Sequence, residues 1–301
     1  MGPLVLGMKG SETMAGAIAR HLGCETGAPE TRAFPDGETY LRIASAVRGR
    51  AVAIVESLDR PDAKFLPLIF AADAARDLGA AQVGLVAPYL AYMRQDRRFR
   101  TGEAVTSRSV ARLISSRFDW LVCVDPHLHR YRSLAEIYSI PARVLHAAPL
   151  MAGWIAANVA DPVLVGPDSE SEQWVGDVAA RAGAPYTVLE KIRSGDREVE
   201  IRLRDGAAIS GRIPVLVDDI VSSGRTMLAA VRLLKSLASP QPVCLAVHGL
   251  FADRSDELLR AEGVRLVTAN TVAHASNALD VSAMLADAVS GMRSVRPGAS
   301  S

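Results

Sequence analysis

The 301-residue chain has three cysteines, Cys24, Cys123 and Cys244, all far apart. That odd number, without metal-ligand spacing, excludes a disulfide framework and a cysteine-rich zinc site and fits a reducing cytoplasm. Cys123 and Cys244 sit in apolar runs, where a small buried hydrophobe is the plain expectation. No apolar run is long enough to span a membrane, and no basic flank followed by an apolar stretch of signal length opens the chain. One sign of charge does not dominate: 34 lysines and arginines stand against 33 acids. A balanced surface argues against a dedicated nucleic-acid binder. No low-complexity linker interrupts the chain.

Apolar residues are 49% of the chain and charged residues 22%, the composition of a well-packed protein. The length exceeds one ordinary core, so two domains are expected. Strand-like apolar runs alternate with helical patterns. Strands are predicted at Leu4–Met8, Ala51–Val55, Val83–Val86 and Trp120–Val124, then at Val163–Val165, Tyr186–Leu189, Val215–Val217, Cys244–His248 and Arg265–Thr268. Helices are predicted from a Ser11 cap to Gly23, over Pro61–Leu78, Ser107–Phe118 and Glu170–Ala182, near Leu258 and over Val281–Met292. Glu198–Leu203 alternates and reads as a hairpin arm. Continuous apolar strands separated by helices indicate parallel sheets covered on both faces. The two blocks meet near residues 142–160.

Several polar clusters fall where parallel sheets bind ligands, at the carboxyl ends of strands. Pro214–Val217 runs into Asp218 and Asp219, then Ser222-Ser223-Gly224-Arg225-Thr226, then a helix. Carboxylates suit sugar hydroxyls, and the loop with its helix N-terminus suits a phosphate; a plain strand-to-helix loop with capping serines has the same composition. Arg94, Gln95 and Asp96 lie in a loop with Arg97, Arg98 and Arg100. Such a loop suits either a polyphosphate or a solvated basic surface. Asp125-Pro126-His127 follows a buried strand; by chemistry alone its histidine suggests zinc or proton transfer, but no cysteine or third histidine follows at ligand spacing. Asp168 ends another buried strand, and Glu170 and Glu172 after it are explained by the dipole of the helix they open. Lys191 and Arg193 alternate onto one face if the strand before them continues. Phe34-Pro35-Asp36-Gly37-Glu38 is a turn sequence.

Taken in order, these segments resemble the ribose-phosphate diphosphokinase (phosphoribosyl pyrophosphate synthetase) family. The Asp218–Thr226 stretch also resembles the phosphoribosyl-pyrophosphate loop of type I phosphoribosyltransferases. Two residues depart from the family pattern. Many members carry an acid at Ser222 and a second glycine at Arg225. The run Arg130-Tyr131-Arg132 after the histidine also differs from the Gln-rich continuation of the family, and His129 is an additional histidine. His248-Gly249-Leu250-Phe251, Thr268-Ala269-Asn270-Thr271 and Ser276-Asn277 resemble the C-terminal strands of the family.

The resemblance implies an α/β chain of two tandem type I phosphoribosyltransferase-like domains, each a mostly parallel sheet flanked by helices. The expected bounds are residues 1–145 and 146–290, with a frayed tail over 291–301. It implies transfer of the β,γ-diphosphoryl group of Mg-ATP to ribose 5-phosphate by a cytoplasmic homo-oligomer, dimer or hexamer. Phe34, Asp36 and Glu38 would reach the ATP adenine of a neighbouring subunit, and Arg94, Gln95 and Asp96 the same nucleotide. His127 and Asp168 would hold Mg²⁺, and Lys191 and Arg193 would touch the transferring group. Asp218, Asp219, Ser222, Ser223, Gly224, Arg225 and Thr226 would bind the sugar phosphate. A type I phosphoribosyltransferase and a non-catalytic regulatory relative are the alternatives.

Overall fold

The computed structural model describes residues 2–194, 198–205, 209–237 and 239–293, the side chains of residues 170 and 191–201 excepted. Its contacts divide the chain into two units, residues 1–145 with 281–301, and residues 146–280.

The first unit holds β1 (Leu4–Gly7), α1 (Glu12–Leu22), β2 (Glu25–Gly27), β3 (Glu30–Ala33), β4 (Thr39–Arg42) and β5 (Ala51–Val55). It continues with α2 (Asp62–Asp77), β6 (Gln82–Ala87), α3 (Thr106–Ser115), β7 (Trp120–Val124) and β8 (Ala142–Leu145). Six strands form one parallel sheet in the order β2-β1-β5-β6-β7-β8, and β3 and β4 form a separate antiparallel hairpin. Every residue of β1, β6 and β7 is buried, as the unbroken apolar runs require of strands covered on both faces.

The second unit holds α4 (Ala148–Asn158), β9 (Pro162–Gly166), α5 (Glu172–Ala182), β10 (Tyr186–Ser194), β11 (Glu198–Leu203) and β12 (Ile213–Val221). It continues with α6 (Arg225–Ser236), β13 (Val243–Gly249), α7 (Ser255–Ala261), β14 (Arg265–Ala269) and β15 (Asn277–Leu279). The sheet order is β11-β10-β9-β12-β13-β14-β15, and all pairings are parallel except β10 with β11. Numbered by their own appearance, the parallel strands of both units follow one order, 2-1-3-4-5-6. The order therefore reverses beside the first strand in each, between β1 and β5 and between β9 and β12. Ligands of open parallel sheets bind outside the carboxyl ends of strands at such a reversal.

Three differences from the sequence expectations stand out. The last helix, α8 (Ser282–Met292), packs on α1, β7 and β8 of the first unit, so the second unit ends ten residues before the expected 290. Ser11 does not cap α1 with its side chain; its hydroxyl is drawn into the interior, accepting from the Ser57 amide at 3.0 Å and donating to Glu56 at 3.4 Å. Asp218 and Asp219 lie within β12, which stays paired with β13 through Val221. From residue 294 the expected tail lies outside the described residues. Among the described residues no helix is long and apolar enough to cross a membrane.

Candidate active site

The strand reversal of the second unit gathers carboxylates. Asp168 follows the end of β9, and Asp218 and Asp219 lie near the end of neighbouring β12. Asp168 is fixed by Ser171, whose amide donates to its Oδ1 at 3.1 Å and whose hydroxyl donates to its carbonyl at 2.7 Å. The turn is tight because residue 166 is glycine: a Cβ there would stand 2.6 Å from Ser171 Oγ and 2.9 Å from Val188 Cγ1. Burial, followed by the nearby Asp219 carboxylate and then that of Asp168, pushes Asp218 well above the ordinary carboxylate range. The Asp219 amide, donating to Asp218 Oδ1 at 2.9 Å, works against that shift. Three acids held this close favour a cation or hydroxyl donors beside them.

The loop that follows is held from behind. Gly224 takes φ +66° at the N-terminus of α6, and no side chain caps that helix. Its leading amides therefore keep the capacity to bind an anion. Ser255, buried at the start of α7, donates its hydroxyl to the Ser222 carbonyl at 2.7 Å. Met227, Ala230, Val231 and Leu234 root α6 in the core with Phe251 and Leu259. Ser222, Ser223 and Thr226 are half-buried, and Arg225 is exposed. Ser255 carries no motif in the sequence; only the fold brings it to the loop. His248 lies one strand further on, buried, its Nδ1 2.9 Å from Thr271 Oγ1. Because Thr271 donates to the Val247 carbonyl, its oxygen accepts from Nδ1–H.

In the first unit Arg94 is exposed and Gln95 half-buried. Asp96, expected beside them at the nucleotide, is instead buried, and both its carboxylate oxygens accept from Arg130 Nη1, at 3.0 and 3.1 Å. A buried carboxylate committed to a guanidinium from another loop supports its own loop from within. His127 is half-buried and stacks on His129, with ring centroids 5.9 Å apart. Phe34 to Glu38 form the exposed tip of the β3–β4 hairpin, closed by the Phe34 amide donating to the Glu38 carbonyl at 2.7 Å. Arg32 lies over the rings of both Phe34 and Tyr40 at 4.7 and 4.3 Å, bracing that tip.

Residues 4–117 match the N-terminal domain of ribose phosphate pyrophosphokinase, and residues 133–281 match a phosphoribosyl transferase domain. The chain is 33% identical to the ribose-phosphate pyrophosphokinase of Methanosarcina mazei over 95% of each chain. It is 35% identical to that of Saccharolobus solfataricus over 81% of this chain and 84% of the other. The chain belongs to the ribose-phosphate pyrophosphokinase family. A solved phosphoribosylpyrophosphate synthetase from Mycobacterium smegmatis superposes with a TM-score of 0.84 at 25% identity, covering 97% of this chain and 99% of that one. The family resemblance read from the motifs and the α/β fold it implied are thereby borne out.

Within this pyrophosphokinase fold, Lys191 and Arg193 are strand positions of β10, opposite Ile201 and Val199 of β11; their side chains lie outside the described ones. Among the described residues no three His, Cys, Asp or Glu form a metal cage. The crowded carboxylates Asp168, Asp218 and Asp219 nevertheless fit Mg²⁺, which binds through one or two carboxylates, retained waters and substrate phosphates.

The pyrophosphokinase's first unit has the same strand reversal, but its own side chains fill it. Glu56 follows β5 and is buried; Lys64 approaches its Oε1 at 3.5 Å while bonding the Ser57 carbonyl at 2.7 Å and Asp59 at 2.6 Å. Burial raises the Glu56 carboxyl to about 7, with Lys64 only partly offsetting it. A carboxyl raised in the folded state favours folding below its unfolded value near 4.5, and that contribution is lost as pH rises through about 7. Glu56→Gln is therefore expected to stabilise the protein by about 2–3 kcal/mol at pH 8 and by almost nothing at pH 4.5. Urea unfolding at the two pH values checks this; equal effects at both would contradict the titration.

Proposed function

We propose that the chain transfers the β,γ-diphosphoryl group of Mg-ATP to the 1-hydroxyl of ribose 5-phosphate, giving AMP and 5-phosphoribosyl 1-diphosphate. The observation that carries this reading is the conjunction, at one strand reversal, of Asp168, Asp218 and Asp219 with the uncapped N-terminus of α6. Acceptors for hydroxyls beside donors for a phosphate fit a sugar phosphate better than a bare anion.

In this reading Asp218 and Asp219 hold two sugar hydroxyls, and Ser222 to Thr226 hold the 5-phosphate. Arg94 and Gln95 meet the polyphosphate of ATP, and Phe34, Asp36 and Glu38 meet the adenine on a neighbouring subunit. The exposure of the hairpin tip supports that last role and, with it, a homo-oligomer, dimer or hexamer. Asp168 would hold Mg²⁺, with His127 as the further ligand the resemblance implies, and the ion would supply charge neutralisation for the polyphosphate. The new bond joins the sugar oxygen to the β-phosphorus while the bond from the β-phosphorus to the α,β-bridging oxygen breaks and AMP leaves. Lys191 and Arg193 meet the charge that develops during this exchange. Such a reaction depends on alignment and charge compensation more than on covalent help. The free thiols of Cys24, Cys123 and Cys244 support a cytoplasmic setting.

The test is incubation with ATP, magnesium and ribose 5-phosphate. AMP should appear only when the sugar phosphate is present and should cease when the metal is chelated. ADP as product, or AMP independent of the sugar, would refute the assignment. A transferase consuming 5-phosphoribosyl 1-diphosphate would give no AMP in this mixture.

A further inference from the structure

We infer that Arg130 and Tyr131 are positioning residues for the nucleotide, acting through Asp96 to fix the loop that presents Arg94 and Gln95. The inference rests on the proposed use of that loop for ATP, but the clamp itself is read from contacts.

The segment between β6 and α3 spans residues 88–105 without a helix or strand, long for a connection inside a compact unit. Arg94, Arg97, Arg98 and Arg100 are all exposed on it, and their mutual repulsion favours many arrangements over one. Asp96 opposes this. It is only 5% exposed, and Arg130, on the loop after the adjacent strand β7, binds both its oxygens.

The backbone around Asp96 is tied down as well. Tyr131 donates its hydroxyl to the Asp96 carbonyl at 3.1 Å and lies 3.0 Å from Ser107 Oγ. The Ser107 amide reaches the Gln95 carbonyl at 3.4 Å. Further along, Phe99 lies beneath Arg97 and Arg130, at 4.9 and 5.5 Å from their guanidinium carbons. Two consecutive carbonyls and one carboxylate are thus turned inward, while Arg94, between buried Met93 and half-buried Gln95, stays exposed. A buried carboxylate stripped of its guanidinium is strongly unfavourable, so loss of Arg130 expels Asp96 and releases the loop.

Arg130 and Tyr131, in the run that departs from the Gln-rich family pattern, acquire a role in this way. Arg130 already neutralises a buried acid, Asp96, so it supports the loop instead of adding a further phosphate ligand.

Two measurements test this on the full-length protein. Limited trypsin digestion without nucleotide reads the loop directly: Arg130→Ala and Asp96→Ala should each speed cleavage after Arg97, Arg98 or Arg100 by about tenfold. Steady-state kinetics should show KM for ATP raised about tenfold by either substitution, with KM for ribose 5-phosphate unchanged. The double variant should be no worse than either single one. Tyr131→Phe and Asp96→Asn, which preserve shape, should give the same pattern more weakly and carry the test if the alanine variants do not fold. Unchanged cleavage in the folded variants overturns the clamp whatever reaction the enzyme catalyses. Additive KM effects in the double variant overturn it in favour of direct contact between Arg130 and ATP. Faster cleavage in an enzyme that forms no AMP would uphold the clamp and sink only the functional assignment.

Discussion

Replacing Lys191 with alanine should lower turnover by roughly 10²–10³-fold, the usual loss when one transition-state donor is removed. The backbone supplies the reason to single it out. β10 pairs with β9 from Tyr186–Leu164 to Val188–Gly166 and then outruns it. Lys191 is therefore three residues, about 10 Å, beyond the strand end that leads to Asp168. Among the described residues β10 is paired there with β11 alone. In diphosphoryl transfer, charge shifts towards the leaving oxygen as the bond breaks, and a cation that meets that charge lowers the barrier more than it tightens substrate binding. Turnover should accordingly fall with KM for both substrates within about threefold. Arginine at 191 should restore part of the rate, since it keeps the charge but not its point-like shape. Pre-steady-state measurement of AMP formation separates chemistry from product release. Near-normal turnover of the alanine variant would remove Lys191 from the mechanism.

The fold was open to sequence reading where burial leaves a periodic mark. β1, β6, β7 and β13 are buried at every residue, so their unbroken apolar runs identify them. Gly23 and Gly183 take left-handed conformations just after α1 and α5, as their place after an amphipathic stretch predicts. α4 gave no such signal. Ala148–Asn158 is apolar around most of its circumference, so no stripe at helical spacing sets it apart from the presumed junction. β2, β3 and β4 contain no fully buried residue and carry the polar composition of loops. Nor does any pattern in α8 say which sheet it will cover, because an apolar stripe specifies a buried face without naming its partner.

At the candidate site the same limit applies residue by residue. Asp168, Asp218 and Asp219 stood out because each closes an unbroken apolar run, near the carboxyl end where parallel sheets present polar groups. The burial of Asp96 was not readable. It sits among four exposed arginines, and its burial depends on Arg130, 34 positions away. Ser255 escaped notice for a related reason: its hydroxyl acts on a carbonyl 33 positions earlier. Sequence motifs mark residues whose neighbours in the chain help define the chemistry. They are silent about residues that hold those motifs in place from another loop.

Ser255 also sets up the sharpest test of the proposed phosphate site at residues 222–226. Gly224→Ala should raise KM for ribose 5-phosphate by about 30–100-fold while leaving KM for ATP almost unchanged. Two costs combine. A side chain at φ +66° is disfavoured by about 1–2 kcal/mol. The added methyl group would also stand 2.8 Å from Ser255 Cβ, closer than packed carbons allow, so either the loop or α7 must shift. Because Ser255 holds the Ser222 carbonyl, a shift of α7 carries the loop with it and turns the α6 amides away from the phosphate. These costs correspond to about 2–3 kcal/mol, which is 30–100-fold in affinity. The steric part is separable from the torsional part. Adding Ser255→Gly to Gly224→Ala removes the clashing Cβ but not the strained dihedral, so the double variant should recover part of the loss, even though Ser255→Gly alone weakens binding by freeing the Ser222 carbonyl. Recovery of that sign, seen in KM for the sugar phosphate and absent in KM for ATP, would place the phosphate at the α6 N-terminus. If Gly224→Ala instead raised KM for ATP alone, the phosphate of the sugar would have to bind elsewhere.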